Sequence, residues 1–185
     1  MFDILKNRII KGVVTRLKGM DSSLRAYDPL GSETAHSGSQ NDDIVGFELK
    51  ALIHKRFGRS LHIRYIDTGS CGACESEVIA ANNPIYDLQR FGVNFVASPR
   101  HADALLVIGP VTKNMAVALR KTYDAMPEPK FVITAGDCAF DGGIFKDSYY
   151  TEGAAKNLLS VALHIKGCPP SPSDIINSLV KFLSG

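Results

Sequence analysis

The stretch ADALLVIG, residues 102–109, decides the fold class, because its apolar core shows none of the polar alternation of a half-exposed strand. Such a continuous run is typical of a parallel strand that is covered on both faces of its sheet. KFVITAG (130–136) repeats the pattern, and LHIRYID (61–67) precedes both as a further strand. The three segments predict the centre of a parallel sheet with helices on each face.

Helical patterns alternate with these strands along the chain. They are predicted after Cys74 as far as Asn83-Pro84, over 113–126, and over 171–185 with Ser173 as a candidate N-cap. Shorter strands are predicted at 93–98 and at the end of 157–167. Strand–helix alternation of this kind indicates an α/β fold with a doubly wound parallel sheet.

The chain ahead of this domain divides into two zones. Residues 1–19 place apolar side chains at helical spacing with basic residues mostly off that stripe, which predicts an amphipathic helix. Residues 20–43 are rich in Ser, Gly and Asp without periodicity and are interpreted as a linker or extended arm. The α/β domain is therefore expected to span 44–185.

Composition narrows the function classes. A formal net charge of +2 without a basic cluster argues against a nucleic-acid binder. No apolar run approaches the roughly 18 residues that span a bilayer, and no secretory signal pattern stands at the N-terminus. We therefore expect the chain in the cytoplasm, where thiols stay reduced and four cysteines are better interpreted as metal or redox ligands than as disulfides.

The four cysteines follow three of the predicted strands. Cys71 and Cys74 come after 61–67 in a CxxC turn, Cys138 comes after 130–136, and Cys168 comes after the strand that ends near Gly167. Because parallel strands end at the same edge of a sheet, these loops should meet there. Four thiolates are the ligand set of one 4Fe–4S cluster. The sequence thus predicts such a cluster on Cys71, Cys74, Cys138 and Cys168.

Other interpretations compete with this one. Single cysteines are often simply buried core residues. A structural zinc site also takes four thiolates, although it usually uses two close pairs rather than one pair and two singles. A thioredoxin-like CxxC would leave Cys138 and Cys168 unused. A flavodoxin-like binding module without iron is the remaining alternative of a different class.

The region 61–180 resembles the B-type subunits of NADH:quinone oxidoreductase (complex I) and the small subunits of membrane-bound, energy-converting nickel–iron hydrogenases. The matching stretches are Ser98-Pro99-Arg100-His101-Ala102-Asp103, Thr112-Lys113-Asn114-Met115, Ala118-Leu119-Arg120-Lys121, Tyr123-Asp124, Met126-Pro127-Glu128-Pro129-Lys130 and Gly167-Cys168-Pro169-Pro170. The resemblance implies a flavodoxin-like fold and one 4Fe–4S cluster, proximal to the active site of a separate large subunit.

One departure favours the hydrogenase branch. The complex I members of the family have two adjacent cysteines at the first ligand position, whereas here Ala73 precedes Cys74 and the second thiol is Cys71. The CxxC followed by Glu77 resembles the hydrogenase version. We therefore expect a non-catalytic electron-transfer subunit of a hydrogenase-type oxidoreductase. The alternative is a complex I-related, quinone-reducing or ion-pumping complex without a nickel site.

The resemblance also implies partners and a location. The partners are a hydrogenase-like or complex I-like large subunit, a ferredoxin-like iron–sulfur subunit and membrane ion-translocating subunits, at the cytoplasmic face of the inner membrane. Glu77 is a candidate for proton movement at the large-subunit interface, against the alternative of a helix-dipole carboxylate. Arg100 is a candidate hydrogen-bond donor toward the cluster or the partner, against the alternative of an ion pair with Asp103 or another carboxylate.

Overall fold

The computed structural model describes residues 37–185, with side chains from residue 43 onward. The predicted helix 1–19 and residues 20–36 of the predicted linker lie outside the described residues. Helix α1 (Ser37–Phe57) begins before residue 44, so the last part of the segment interpreted as linker is helical. The α/β domain therefore includes a first helix that the sequence pattern did not predict.

Five parallel strands form the main sheet. They are β1 (Leu61–Asp67), β2 (Val93–Phe95), β3 (Ala104–Ile108), β5 (Phe131–Ala135) and β7 (Val161–Ile165). Their spatial order is β2-β1-β3-β5-β7. Counted by appearance, this is the order 2-1-3-4-5 of flavodoxin-like folds. The predicted doubly wound α/β fold is confirmed.

The helices cover both faces of this sheet. They are α2 (Ala73–Ala80), α3 (Lys113–Asp124), α4 (Asp137–Asp141), α5 (Ala155–Leu158) and α6 (Pro172–Ser184). One core joins α1, α2 and α6 to the sheet through residues such as Leu49, Val78 and Leu179. The other joins α3 to the opposite face, around Leu105 and Leu119. All five residues of β3 are buried, as expected for a strand covered on both sides.

Two details differ from the sequence prediction. A small antiparallel pair, β4 (Val111–Thr112) with β6 (Thr151–Gly153), stands beside the main sheet. The N-cap of α6 is Ser171, because Pro172 occupies the first turn and the Ser171 and Asp174 side chains exchange hydrogen bonds with each other's backbone amides. The predicted cap at Ser173 is wrong. No helix within 37–185 is both long and apolar enough to cross a membrane.

Candidate metal centre

All four cysteines line one pocket at the carboxyl edge of the sheet. Cys71 lies in the loop after β1, Cys74 in the first turn of α2, Cys138 in the first turn of α4 after β5, and Cys168 after β7. Cys74 is buried, Cys138 is partly buried, and Cys71 and Cys168 are exposed. The structure thus brings together the residues that the sequence placed after three separate strands.

The loop that holds Cys71 is ordered by a single carboxylate. Asp67 Oδ1 accepts hydrogen bonds from the Gly69 amide at 2.8 Å and the Ser70 amide at 2.7 Å. The Ser70 hydroxyl donates to Asp67 Oδ2 at 2.9 Å and accepts from the Gly72 amide at 3.1 Å. The side-chain oxygens thus accept hydrogen bonds from backbone amides that belong to neither β1 nor α2. They hold the CxxC segment at the end of the strand.

The loops that carry the other two ligands are tied to each other. The Gly136 amide donates to the Ile165 carbonyl at 2.9 Å, and the Asp137 amide donates to the Gly167 carbonyl at 3.0 Å. In return, the Gly167 amide donates to Asp137 Oδ1 at 3.3 Å. Because Asp137 precedes Cys138 and Gly167 precedes Cys168, these reciprocal bonds set the spacing of the two thiols.

Glycines leave the room that two of the sulfurs occupy. A Cβ added to Gly136, which has a φ of +88°, would lie 2.7 Å from Cys74 Sγ. A Cβ added to Gly143 would lie 2.9 Å from Cys138 Sγ. Real Cβ atoms do not approach that closely, so the backbone here is shaped around the thiols.

Two of the thiols, Cys74 and Cys138, are held in their neutral form by burial in the metal-free chain. Burial raises the pKa of Cys74 to about 11, and the neighbouring Cys138, Cys71 and Cys168 add to this by repulsion between like charges. Burial also raises the pKa of Cys138, with a further contribution from Cys168. Four thiolates in this pocket therefore need cations among them, and metal binding has to release the protons.

This protonation gives a testable pH dependence for the metal-free chain. Since Cys74 is a neutral thiol until the pH nears about 11, its alkylation by iodoacetamide should be slow at pH 8 and should rise up to that pH. Peptide mass spectrometry of the labelled chain measures each cysteine separately. Full alkylation of Cys74 within the same time as an unfolded control at pH 8 would contradict the buried site.

The chemistry of the donor set fits an iron–sulfur cluster. Such a cluster takes four thiolates and offers a different iron to each, and four thiols line this pocket. Among the residues that the structure describes, no three His, Cys, Asp or Glu side chains are grouped closely enough to hold a single metal ion. The rest of the lining includes the apolar residues Pro110, Phe145 and Pro169 and the carboxylate of Asp137.

The two other predicted residues lie outside this lining. Glu77 is half-buried in the second turn of α2, and its role in proton movement stays a prediction. Arg100 is exposed in the short 3-10 turn Pro99–His101. Asp103, the carboxylate named as an alternative partner of Arg100, pairs with Arg59 at 2.6 Å. The predicted contact of Arg100 with the cluster or a partner stays a prediction.

Sequence reasoning missed two polar groups near the pocket. The Tyr65 hydroxyl is buried without a hydrogen-bond partner in the described chain. Burial raises its pKa, and the charges of Glu75 and Asp67 raise it further. The other is His164, whose ring stacks on Phe140 and whose Nε2 lies 3.5 Å from Asp137 Oδ1. Neither group belongs to a spacing motif that could have marked it.

Known proteins are similar to this chain over most of the described domain. The family described as NADH ubiquinone oxidoreductase, 20 Kd subunit, matches residues 71–182. The chain is 42% identical over 133 residues to the probable membrane-bound hydrogenase subunit mbhJ of Pyrococcus furiosus, across 72% of this chain and 80% of that protein. It is 46% identical over 114 residues to the B-type subunit of NADH-quinone oxidoreductase from Clostridium beijerinckii, across 61% and 68% of the two chains.

One solved structure extends the comparison to three dimensions. A chain in the structure of the membrane-bound sulfane sulfur reductase, an archaeal respiratory membrane complex, superposes with a TM-score of 0.62 at 30% identity. The match covers 72% of this chain and 73% of that one. Proteins similar to this chain thus serve in complexes with different overall reactions.

Proposed function

The chain belongs to the NADH ubiquinone oxidoreductase 20 kDa subunit family, and from this premise we propose that it is the electron-transfer small subunit of a membrane-bound, hydrogenase-type energy-converting complex. Its ligands Cys71, Cys74, Cys138 and Cys168 would hold one proximal 4Fe–4S cluster. The observation that carries the proposal is that these four thiols, from three separate strand ends, line a single pocket.

A bound 4Fe–4S cluster supplies one-electron transfer, and the residues of this chain determine its position and its surroundings. Cys74, which is 8% exposed, sets the buried corner of the site. Phe145 and Pro110 contribute apolar side chains to the lining, which would lower the polarity around a cluster. Cys71 and Cys168 lie on the open side, so a partner that accepts or delivers electrons has a short path from there.

Exposed apolar side chains in the segment that follows Cys138 support a covering partner. Ile144 is 85% exposed and Tyr149 is 88% exposed. Large exposed apolar side chains mark protein interfaces when they lie in one patch. We assign this segment to the interface with the large subunit. A ferredoxin-like iron–sulfur subunit and membrane ion-translocating subunits complete the proposed complex, which would lie at the cytoplasmic face of the inner membrane.

A complex I-related function is the second candidate, and the identity to the NADH-quinone oxidoreductase relative from Clostridium beijerinckii favours it. In that case the large subunit would lack nickel and the complex would reduce quinone or couple another redox reaction to ion transport. The CxxC of Cys71 and Cys74, with Ala73 between them, favours the hydrogenase-type complex. The electron-transfer role of this chain is the same in both.

Reduction by hydrogen distinguishes the two candidates. The complex is purified without oxygen through a tag on this chain, its nickel is determined, and it is exposed to hydrogen or to NADH. The hydrogenase-type proposal expects nickel in the large subunit and a paramagnetic signal of a reduced 4Fe–4S cluster under hydrogen. A complex free of nickel, whose cluster is reduced by NADH but not by hydrogen, would favour the complex I-related candidate.

A further inference from the structure

The first residue of α4, Asp137, carries a carboxylate that the ligand set does not use. Asp137 lines the cysteine pocket directly before Cys138. Its Oδ1 accepts the Gly167 amide at 3.3 Å and lies 3.5 Å from His164 Nε2. One oxygen atom thus joins the loop of Cys138, the loop of Cys168 and strand β7.

His164 is itself held on three sides. Its Nδ1 lies 3.2 Å from the hydroxyl of Thr134, the residue beside it in the neighbouring strand β5, and Thr134 is fully buried. Its ring stacks on Phe140 with 4.2 Å between centroids and 14° between planes. Because Nε2 faces a carboxylate oxygen, which can only accept, the favoured tautomer has its proton on Nε2; Nδ1 then accepts from the Thr134 hydroxyl, whose other acceptor within reach is the Leu163 carbonyl at 3.5 Å.

We propose that Asp137 is a potential-setting residue for the cluster and that His164 is a positioning residue that acts through it. Asp137 places a negative charge beside Cys138, and an added electron is less favourable next to that charge. His164 holds the carboxylate in place and offsets part of its charge through the Nε2 proton. This inference rests on the iron–sulfur role proposed above and adds the residues that would tune it.

The other charged groups near His164 leave Asp137 as its direct partner. Asp141 lies at the far end of α4, where its carboxylate accepts the Gly143 amide at 2.9 Å. Lys156 stands over the Phe140 ring at 4.8 Å, and Lys166 follows β7. Within the described chain, the ion-pair contact of His164 is with Asp137 and with none of these three.

Asp137→Asn removes the charge and keeps an oxygen for the Gly167 amide. In the purified complex, titrated at one pH and followed by electron paramagnetic resonance, the midpoint potential should rise. At a fixed applied potential the ratio of reduced to oxidised cluster should increase by about tenfold, which is about 59 mV for one electron. Asp124→Asn is the matched control, because Asp124 is exposed on α3, away from the pocket, and its loss should leave the potential unchanged.

His164→Phe keeps the ring that stacks on Phe140 and removes the proton that faces Asp137. The negative charge of Asp137 is then less compensated, so the midpoint potential of the cluster should fall. At a fixed applied potential the ratio of reduced to oxidised cluster should decrease by about threefold. In the double variant with Asp137→Asn, the change at position 164 should have no further effect.

These outcomes separate the tuning role of Asp137 and His164 from the iron–sulfur role itself. A wild-type complex without a 4Fe–4S signal would overturn the iron–sulfur role. Two results would overturn the tuning role alone, each in combination with a normal 4Fe–4S signal in the wild type. One is an unchanged midpoint potential in Asp137→Asn, and the other is loss of the cluster from the Asp137→Asn variant. A His164→Phe shift that persists in the double variant would show that His164 does not act through Asp137.

Discussion

Replacing Cys74 by Ser is expected to abolish the cluster in the purified complex and, with it, electron transfer through this chain. The Cys74 sulfur is the buried one of the four, and a serine hydroxyl in its place is a poor ligand for iron and stays protonated. Loss of an outer-shell residue already costs about 10–100-fold in metal affinity, and loss of a ligand should cost more. Iron content, acid-labile sulfide and turnover of the complex measure the effect.

Ala73→Ser is the control for this substitution. It adds a hydroxyl to the neighbouring position of the CxxC turn and removes no thiol, so cluster content should stay close to that of the wild type. Circular dichroism and co-purification of the partner subunits check that both variants fold and assemble. A Cys74→Ser complex that keeps full iron, sulfide and turnover would exclude Cys74 as a ligand.

Gly136→Ala should have the second-largest effect, although it alters no ligand. The new Cβ would lie 2.7 Å from Cys74 Sγ, and the positive φ of +88° is unfavourable for alanine. The sulfur has to move away from its corner of the site. We expect cluster content to fall by about 10–100-fold while the β-sheet remains folded, and metal analysis together with circular dichroism measures both quantities.

Gly58→Ala is the control for Gly136→Ala, because it adds the backbone strain of alanine at a positive φ without a contact to a sulfur. Gly58 also has a positive φ, of +67°, but a Cβ there meets nothing within 4 Å. This variant should lose only about 1 kcal/mol of stability and should keep its cluster. Equal cluster loss in the Gly58 and Gly136 variants would mean that the contact with Cys74 does not matter.

The central features could be predicted because they depend on chain order. The apolar run 102–109 indicated a buried parallel strand, and the position of each cysteine after a strand placed it at one edge of the sheet. Helix α1 was missed because its N-terminal residues are polar and rich in Ser and Asp, a composition that linkers share. Helix α1 is stabilised by packing on the rest of the domain, and local composition does not indicate that packing.

The finer contacts depend on register, which a single sequence does not contain. Asp137 and His164 meet because Thr134 pairs with His164 across two strands far apart in the chain. Arg59 reaches Asp103 in the same way and leaves Arg100 exposed. The N-cap of α6 depends on local geometry instead: the helix begins at Pro172, which makes Ser171 the N-cap.

The most direct test of the proposed iron–sulfur role is a metal and sulfide determination on the anaerobically purified complex, combined with electron paramagnetic resonance of the reduced sample. We predict a 4Fe–4S signal that disappears in Cys74→Ser while the signals of the other subunits remain. The matching loss should be four iron ions and four sulfides per chain, as one cubane cluster requires. Zinc in place of iron at this chain, or an unchanged signal in the variant, would contradict it.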